Sequence, residues 1–407
     1  MIAVPMNERR VAGYLLLFKV VYLTSIAAAV LLWPAPSEKG MIRSFGLDPA
    51  LNGHVEFRDQ FRSTDSEYYL FLSEKGYERD RRECAFYPLY PLLIRWVRIG
   101  TGCNDVLIGM ILANLFSLIA FLLFFRMVAQ HCGESKAVLA LALLLAFPGS
   151  LFFQFIYTES LFFLLLMLFC LSLERQYLPL AFATGFMLPL SRAVGSFCVF
   201  PLLWYLFVKP LSRSLKRTVR VKWFAAKLGD CDSRVLDFRG WRPAGAVCLV
   251  MAPLLGWATY LFLMWSWTGN AFEGIDAQKY YGAQSIHNLI DPVEFVTQFF
   301  SPTEWHDFRG SLLDRCVFIL AIYCFPLIWR LDKGWCIWAF FLGVVPAVSG
   351  EFTSYTRFAS VVFPMFVAMA VWLSGSERRW FRWFTLAVFV ILHLILVWRF
   401  VNFEWAG

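Results

Sequence analysis

The sequence predicts an all-α, polytopic membrane protein with about eleven transmembrane helices. Three observations carry this. The 407-residue chain is 59% hydrophobic and only 16% charged, where a soluble chain carries about a quarter charged residues. Its apolar residues recur in blocks of about 20, the length that crosses a bilayer core. Its basic residues gather between alternate blocks. The net charge of +8 therefore marks cytoplasmic loops, and nucleic acid is not an expected partner.

Taken in order, the apolar blocks are 13–34, 105–126, 136–156, 160–175, 177–192, 194–208, 243–267, 312–330, 334–350, 358–374 and 383–401. Arg9 and Arg10 precede the first. Arg126 and Arg175 follow the second and fourth, and Arg378, Arg379 and Arg382 stand before the last. The stretch 209–242 holds ten Lys and Arg against Asp230, Asp232 and Asp237. All of these lie on one side if the N-terminus is cytoplasmic. The long segments 35–104 and 269–311 then lie on the other. In the second, Glu273, Asp276, Asp291, Glu294, Glu304 and Asp307 outnumber Lys279 and Arg309. Residues 1–407 read as one integral-membrane domain, with two elaborated extracytoplasmic loops and a basic cytoplasmic loop that meets anionic lipid. No internal repeat or low-complexity tract interrupts it.

Ten cysteines show neither C-x-x-C nor zinc-ligand spacing. Cys84 and Cys103 share one segment and could pair only if it faces an oxidising compartment. The Asp-Cys-Asp at 230–232 imitates a metal motif but falls on the cytoplasmic side. No metal or other cofactor is expected. The first apolar block is long enough to be an anchored span and carries no cleavage signature. No N-x-S/T sequon occurs, which favours a bacterial inner membrane, with the long loops facing outward, over an endoplasmic reticulum membrane.

Charges inside a membrane cost roughly 2.5–3.5 kcal/mol each at the centre, so those at span ends tend to face a cavity or a partner. Glu159, Arg192, Glu351 and Arg357 all fall at extracytoplasmic ends, with Asp65, Glu67, Glu74 and Lys279 in the adjoining loops. Singly, each could be a headgroup contact or an interhelical ion pair. As a set they predict a polar cavity opening outward. The stretch Thr64-Asp65-Ser66-Glu67 fits a capping box and Gly76 a helix C-terminus, predicting a helix over about 65–75. Its Tyr68, Phe71, Leu72 and Lys75 form a stripe suited to an apolar surface. Asp65 in the first turn is kept ionised by the helix N-terminus. The run Glu78–Glu83 reads as a solvated charge cluster. Pro88 and Pro91 start a further helix, too short to span and hence interfacial or re-entrant.

The residues "TDSEYYLFLSEKGY" followed by "AFYPLYPLL" resemble the PIG-V family of mannosyltransferases. So do "AFPGSLFFQFIYTESLF" at 146–162, "LSRAVG" at 190–195, "AQKYYG" at 277–282 and "YTRFASVVFPMF" at 355–366. The ordered set covers most of the chain. Thr64 stands where the family usually has Trp, and Phe358 where it has Tyr. The resemblance implies a GT-C-type bundle that moves a hexose, with mannose expected, from a polyprenyl-phosphate donor to an extracytoplasmic glycan or glycolipid hydroxyl. It places the catalytic carboxylate at Asp65. Arg192 and Arg357, with Lys279, are the candidate phosphate clamps, and Tyr157, Glu159, Gln278 and Glu351 are further site candidates. Membrane lipids are the remaining partner. A lipid flippase or small-molecule transporter is the alternative, and a non-catalytic scaffold is a third reading. A transporter would favour internal repeats and midplane charges, whereas these charges collect at one face.

The charge pattern predicts sidedness. In a cysteine-free background, single cysteines at Ser285 and Ser212 are exposed to an impermeant maleimide on intact cells. Ser285→Cys is expected to label and Ser212→Cys to stay unlabelled; the reverse would put the charge cluster on the cytoplasmic face.

Overall fold

A computed structural model describes residues 8–34, 57–208, 243–281 and 291–407. The basic segment 209–242, with Asp230 and Asp232, lies outside the described residues, as does Ser285. The described elements are helical, with one isolated bridge between Glu304 and Ser311. In chain order the α-helices are α1 (Glu8–Leu32), α2 (Asp65–Glu74), α3 (Leu89–Thr101), α4 (Asp105–Cys132), α5 (Glu134–Ala146), α6 (Glu159–Glu174) and α7 (Leu178–Ser191). There follow α8 (Val199–Leu203), α9 (Pro243–Thr268), α10 (Glu273–Asp276), α11 (Pro292–Phe299), α12 (Leu312–Leu331) and α13 (Lys333–Ala339). The last are α14 (Val345–Ser349), α15 (Tyr355–Ala359), α16 (Phe363–Leu373) and α17 (Arg379–Val401). Among the described helices, five are long and apolar enough to cross a membrane: α1, α4, α9, α12 and the run Ser376–Val401.

Buried α6 is the centre of the bundle. Nearly every side chain from Glu159 to Leu173 is buried, which is how a helix apolar on all sides is accommodated. It packs between α4 and α7, and α7 in turn lies against α9. Polar side chains fix where helices begin: the Asn104 side chain accepts from the Val106 amide at 2.9 Å, and Asp332 from the Gly334 amide at 2.8 Å. Such caps satisfy amide groups that the helix itself leaves unpaired.

The first loop departs from three expectations. Thr64 forms no side-chain cap; its φ is 55°, and its hydroxyl turns away to the Tyr157 hydroxyl. Glu67 is buried beside Arg62 at 4.0 Å, so the capping box is absent. Nor is the Tyr68/Leu72 stripe turned to lipid: both side chains are buried inside the protein, and Tyr68 stacks on Phe86 at 4.7 Å. The reason is that α3 and the second loop cover α2. The charge run is solvated only from Glu78 to Arg81; Glu83 and Cys84 are buried. Cys84 and Cys103 are free thiols, one buried and one exposed. Burial pushes the Cys84 thiol up to about 11.

One close approach brings the site together. The 3-10 turn Pro148–Phe153 lies against α15, with Gly149 over the backbone of Thr356. A Cβ at Gly149 would collide with the Thr356 carbonyl and sit 3.1 Å from the Arg357 Cα. Gly149→Ala is therefore expected to destabilise the protein by about 1–3 kcal/mol through overpacking. Gly13→Ala, where a Cβ meets nothing within 4 Å, serves as the control. Thermal unfolding in detergent measures both; equal melting temperatures would show that the turn is free to move.

Candidate active site

Four segments distant in sequence deliver the charged side chains. Asp65 opens α2, Glu159 opens α6, Arg192 follows α7 and Arg357 lies in α15. The Arg357 Nη1 donates to Asp65 Oδ2 at 2.5 Å, and its Nε to Glu159 Oε1 at 2.7 Å. Arg192 Nη1 donates to the same Glu159 oxygen, and to Thr158 Oγ1 at 3.4 Å. Asp65, Arg357, Glu159 and Arg192 thus form one alternating chain of two carboxylates and two guanidiniums. Glu159 is fully buried, whereas the Asp65 side chain keeps 18% exposure. Aromatic faces complete the seat: Arg357 lies 4.9 Å from the Tyr157 ring centre and Arg192 lies 5.0 Å from that of Phe358.

This chain forms part of the wall of a cavity of about 1080 Å³. Asp65, Arg192 and Arg357 line it, and so do Gln278 and Lys279 from the 3-10 turn Ala277–Tyr280. The second loop reaches the cavity because it is tied to the first. Gln278 Nε2 donates to the Ala85 carbonyl at 3.2 Å, and the Tyr281 hydroxyl donates to the Arg82 carbonyl at 3.3 Å. Phe197, Trp257, Leu342, Val345 and Val361 give another part of the wall an apolar surface. Arg357 uses Nε and Nη1 within the charge chain, and Arg192 uses Nη1; no described residue bonds their Nη2 groups. A cavity that offers both charged donors and an apolar stretch of wall suits an amphiphile with an anionic head.

Glu159 and Tyr157 stand behind the wall, fully buried and not lining the cavity. Glu351 does not join the site: it lines no part of the cavity, and burial near Glu294 holds its carboxyl above its ordinary value. Sequence reasoning also missed residues. Glu273 accepts from the Asp80 amide at 2.7 Å, and Asn270 links Glu273 to Asp276; all four line the cavity. Their charges were visible in the sequence, but nothing in it said which faced inward. Lys19 went unremarked within the first apolar block. It is buried, with Nζ donating to Asn114 Oδ1 at 3.1 Å and to Ser117 Oγ and Gln154 Oε1, both at 2.5 Å. A lysine inside a span was the available signal. Among the described residues, no group of His, Cys, Asp and Glu side chains is arranged to hold a metal ion.

The geometry predicts which carboxylate the site can least do without structurally. Glu159→Gln leaves the buried Arg357 and the partly buried Arg192 without their shared counter-charge, and breaking a buried pair costs about 3–5 kcal/mol. Glu351→Gln is expected to cost far less. A melting-temperature comparison in detergent decides, and equal losses would mean that the shared ion pair contributes nothing special.

A family model described as mannosyltransferase (PIG-V) matches residues 11–235. That span contains Asp65, Tyr157, Glu159 and Arg192; Gln278, Lys279, Glu351 and Arg357 lie beyond it. No curated protein matches. Similar solved structures include the oligosaccharyltransferase of Archaeoglobus fulgidus in complex with zinc and sulfate. It is 13% identical with a TM-score of 0.43, over 86% of this chain and 49% of that one. The archaeal oligosaccharyltransferase from the same organism, in complex with an inhibitory peptide and a dolichol-phosphate, gives 13% and 0.43, over 96% and 56%. The chain therefore spans about half the length of the solved structures it resembles. Five of its described helices are long and apolar enough to cross a membrane, and with more than half of its own length matched by the family model, the chain belongs to the PIG-V family of mannosyltransferases.

Proposed function

We propose that the protein transfers a hexose, mannose by its family, from a polyprenyl-phosphate donor to an acceptor hydroxyl with inversion, and that Asp65 is the base. The observation that carries this reading is the contact of Asp65 with Arg357 on the wall of a cavity that Arg192 and Lys279 also line. The acceptor oxygen gives its proton to Asp65 and attacks the anomeric carbon opposite the phosphate. The bond from that carbon to the phosphate oxygen breaks, and the polyprenyl phosphate leaves with both bonding electrons. Arg192, Arg357 and Lys279 take the charge that develops on the leaving oxygen. No described residue bonds Asp65 Oδ1, which leaves that oxygen for the acceptor.

The apolar wall suits the polyprenyl chain, and the shorter apolar helices complete a GT-C-type bundle of about eleven crossings whose active side faces outward from a bacterial inner membrane. A flippase or transporter would find its strongest support in Lys19. Its described partners, however, are neutral oxygens on α1's neighbours, and it lines no part of the cavity.

The test is transfer from purified polyprenyl-phosphate mannose to acceptor in a membrane extract. A general base contributes about 10²–10⁴-fold, so Asp65→Asn should lose about that much with donor binding retained. Arg192→Gln and Arg357→Gln should weaken donor use, and even Arg357→Lys should lose activity because a single ammonium cannot replace the fork. Glu74→Gln, at an exposed position paired with Lys75, is the control. Transfer by Asp65→Asn at close to the parental rate would end this reading.

A further inference from the structure

We propose that Tyr157 is a positioning residue for the transfer step: its hydroxyl holds Thr64 in a strained backbone conformation, and that strain sets the direction in which Asp65 faces the cavity. The proposal rests on the reading of Asp65 as the base.

The residue just before Asp65 is conformationally unusual. Thr64 has φ 55° and ψ −124°, on the side of backbone space that a β-branched residue avoids. Such a conformation persists only when the surroundings impose it. Helix capping does not impose it, because Thr64 makes no side-chain cap to α2. The contact present instead is the hydrogen bond between the Thr64 and Tyr157 hydroxyls. The Tyr157 hydroxyl also lies 3.4 Å from the Ser63 carbonyl oxygen, to which it can donate.

Tyr157 is itself immobilised. Its ring centre lies 4.6 Å from that of Phe152, 6.0 Å from Phe400 and 6.2 Å from Tyr69. The Arg357 guanidinium lies over its face at 4.9 Å. One rigid ring therefore braces the residue before the base and the cation that binds the base. Because Tyr157 is fully buried and lines no part of the cavity, it cannot touch either substrate. Its effect has to pass through Asp65 and Arg357. Without the hydroxyl, Thr64 relaxes towards negative φ, the first peptide of α2 turns, and Asp65 moves off its line to the acceptor.

The test combines Tyr157→Phe with Thr64→Gly, since glycine adopts positive φ without strain. Steady-state transfer from polyprenyl-phosphate mannose to acceptor in a membrane extract gives kcat and the donor KM. Misalignment of a reacting group by about 1 Å can cost ~10²-fold, so Tyr157→Phe is expected to lower kcat by about 10- to 100-fold with the donor KM little changed. Thr64→Gly/Tyr157→Phe is expected to match Thr64→Gly alone in kcat within about threefold, because glycine needs no brace. In an Asp65→Asn background, Tyr157→Phe should add nothing. Should Tyr157→Phe fail to fold, the comparison of Thr64→Gly with the double variant still decides. Parental kcat in Tyr157→Phe beside an inactive Asp65→Asn would overturn this proposal alone. So would a double variant far below Thr64→Gly. Parental activity in Asp65→Asn would instead overturn the reading on which it rests.

Discussion

The shared carboxylate of Glu159 is the constraint on which the rest of the structure depends. It is fully buried at the start of a helix enclosed along nearly its whole length, and two guanidiniums converge on one of its oxygens. Neither arginine could be so enclosed without a counter-charge, because several kcal/mol of desolvation must be offset. Once Glu159 holds Arg192 and Arg357 together, the end of α7 and the whole of α15 are drawn to the start of α6. Arg357 then has an Nη1 left for Asp65, which brings α2 to the same wall. The close approach of Gly149 to Thr356 allows this convergence, and the ties between the two loops close the cavity opposite it.

This arrangement gives the two carboxylates different surroundings. Glu159 is out of reach of any ligand in the cavity, so its charge is spent on structure. Asp65 shares the same arginine but keeps contact with the cavity. The guanidiniums of Arg192 and Arg357 are held by their bonds to Glu159 and Asp65, so an anionic group in the cavity meets cations that are already fixed in place. That preorganisation is where electrostatic catalysis draws most of its effect. The proposed transfer chemistry needs little else from the protein beyond a base and room for an amphiphilic donor.

Much of this could be read in the sequence. Apolar block lengths gave the helical membrane class, and each block proved to contain helix. The convergence of Asp65, Arg192, Arg357 and Lys279 followed from charges placed where a membrane does not tolerate them singly, and Gln278 came only from the family resemblance. What could not be read were relations between neighbours. The Thr64 capping box fits the local pattern, but a tertiary bond to Tyr157 outcompetes it. The Tyr68 stripe has the right period, yet the period does not say whether lipid or protein covers it. Glu351 carries the same charge as Glu159 and sits equally near a span end, but only Glu159 meets Arg192 and Arg357. The buried Lys19 network depends on Asn114 and Gln154, neutral residues that no charge pattern marks.

The central claim is that this wall of alternating charge works on a lipid-linked phosphate. Its most direct measurement follows purified protein given chemically defined polyprenyl-phosphate mannose and acceptor extract, with both products analysed. The account predicts polyprenyl phosphate released in equal amount to mannosylated acceptor, with the anomeric configuration of mannose inverted. Turnover only with a nucleotide sugar, or retention of configuration, would contradict it.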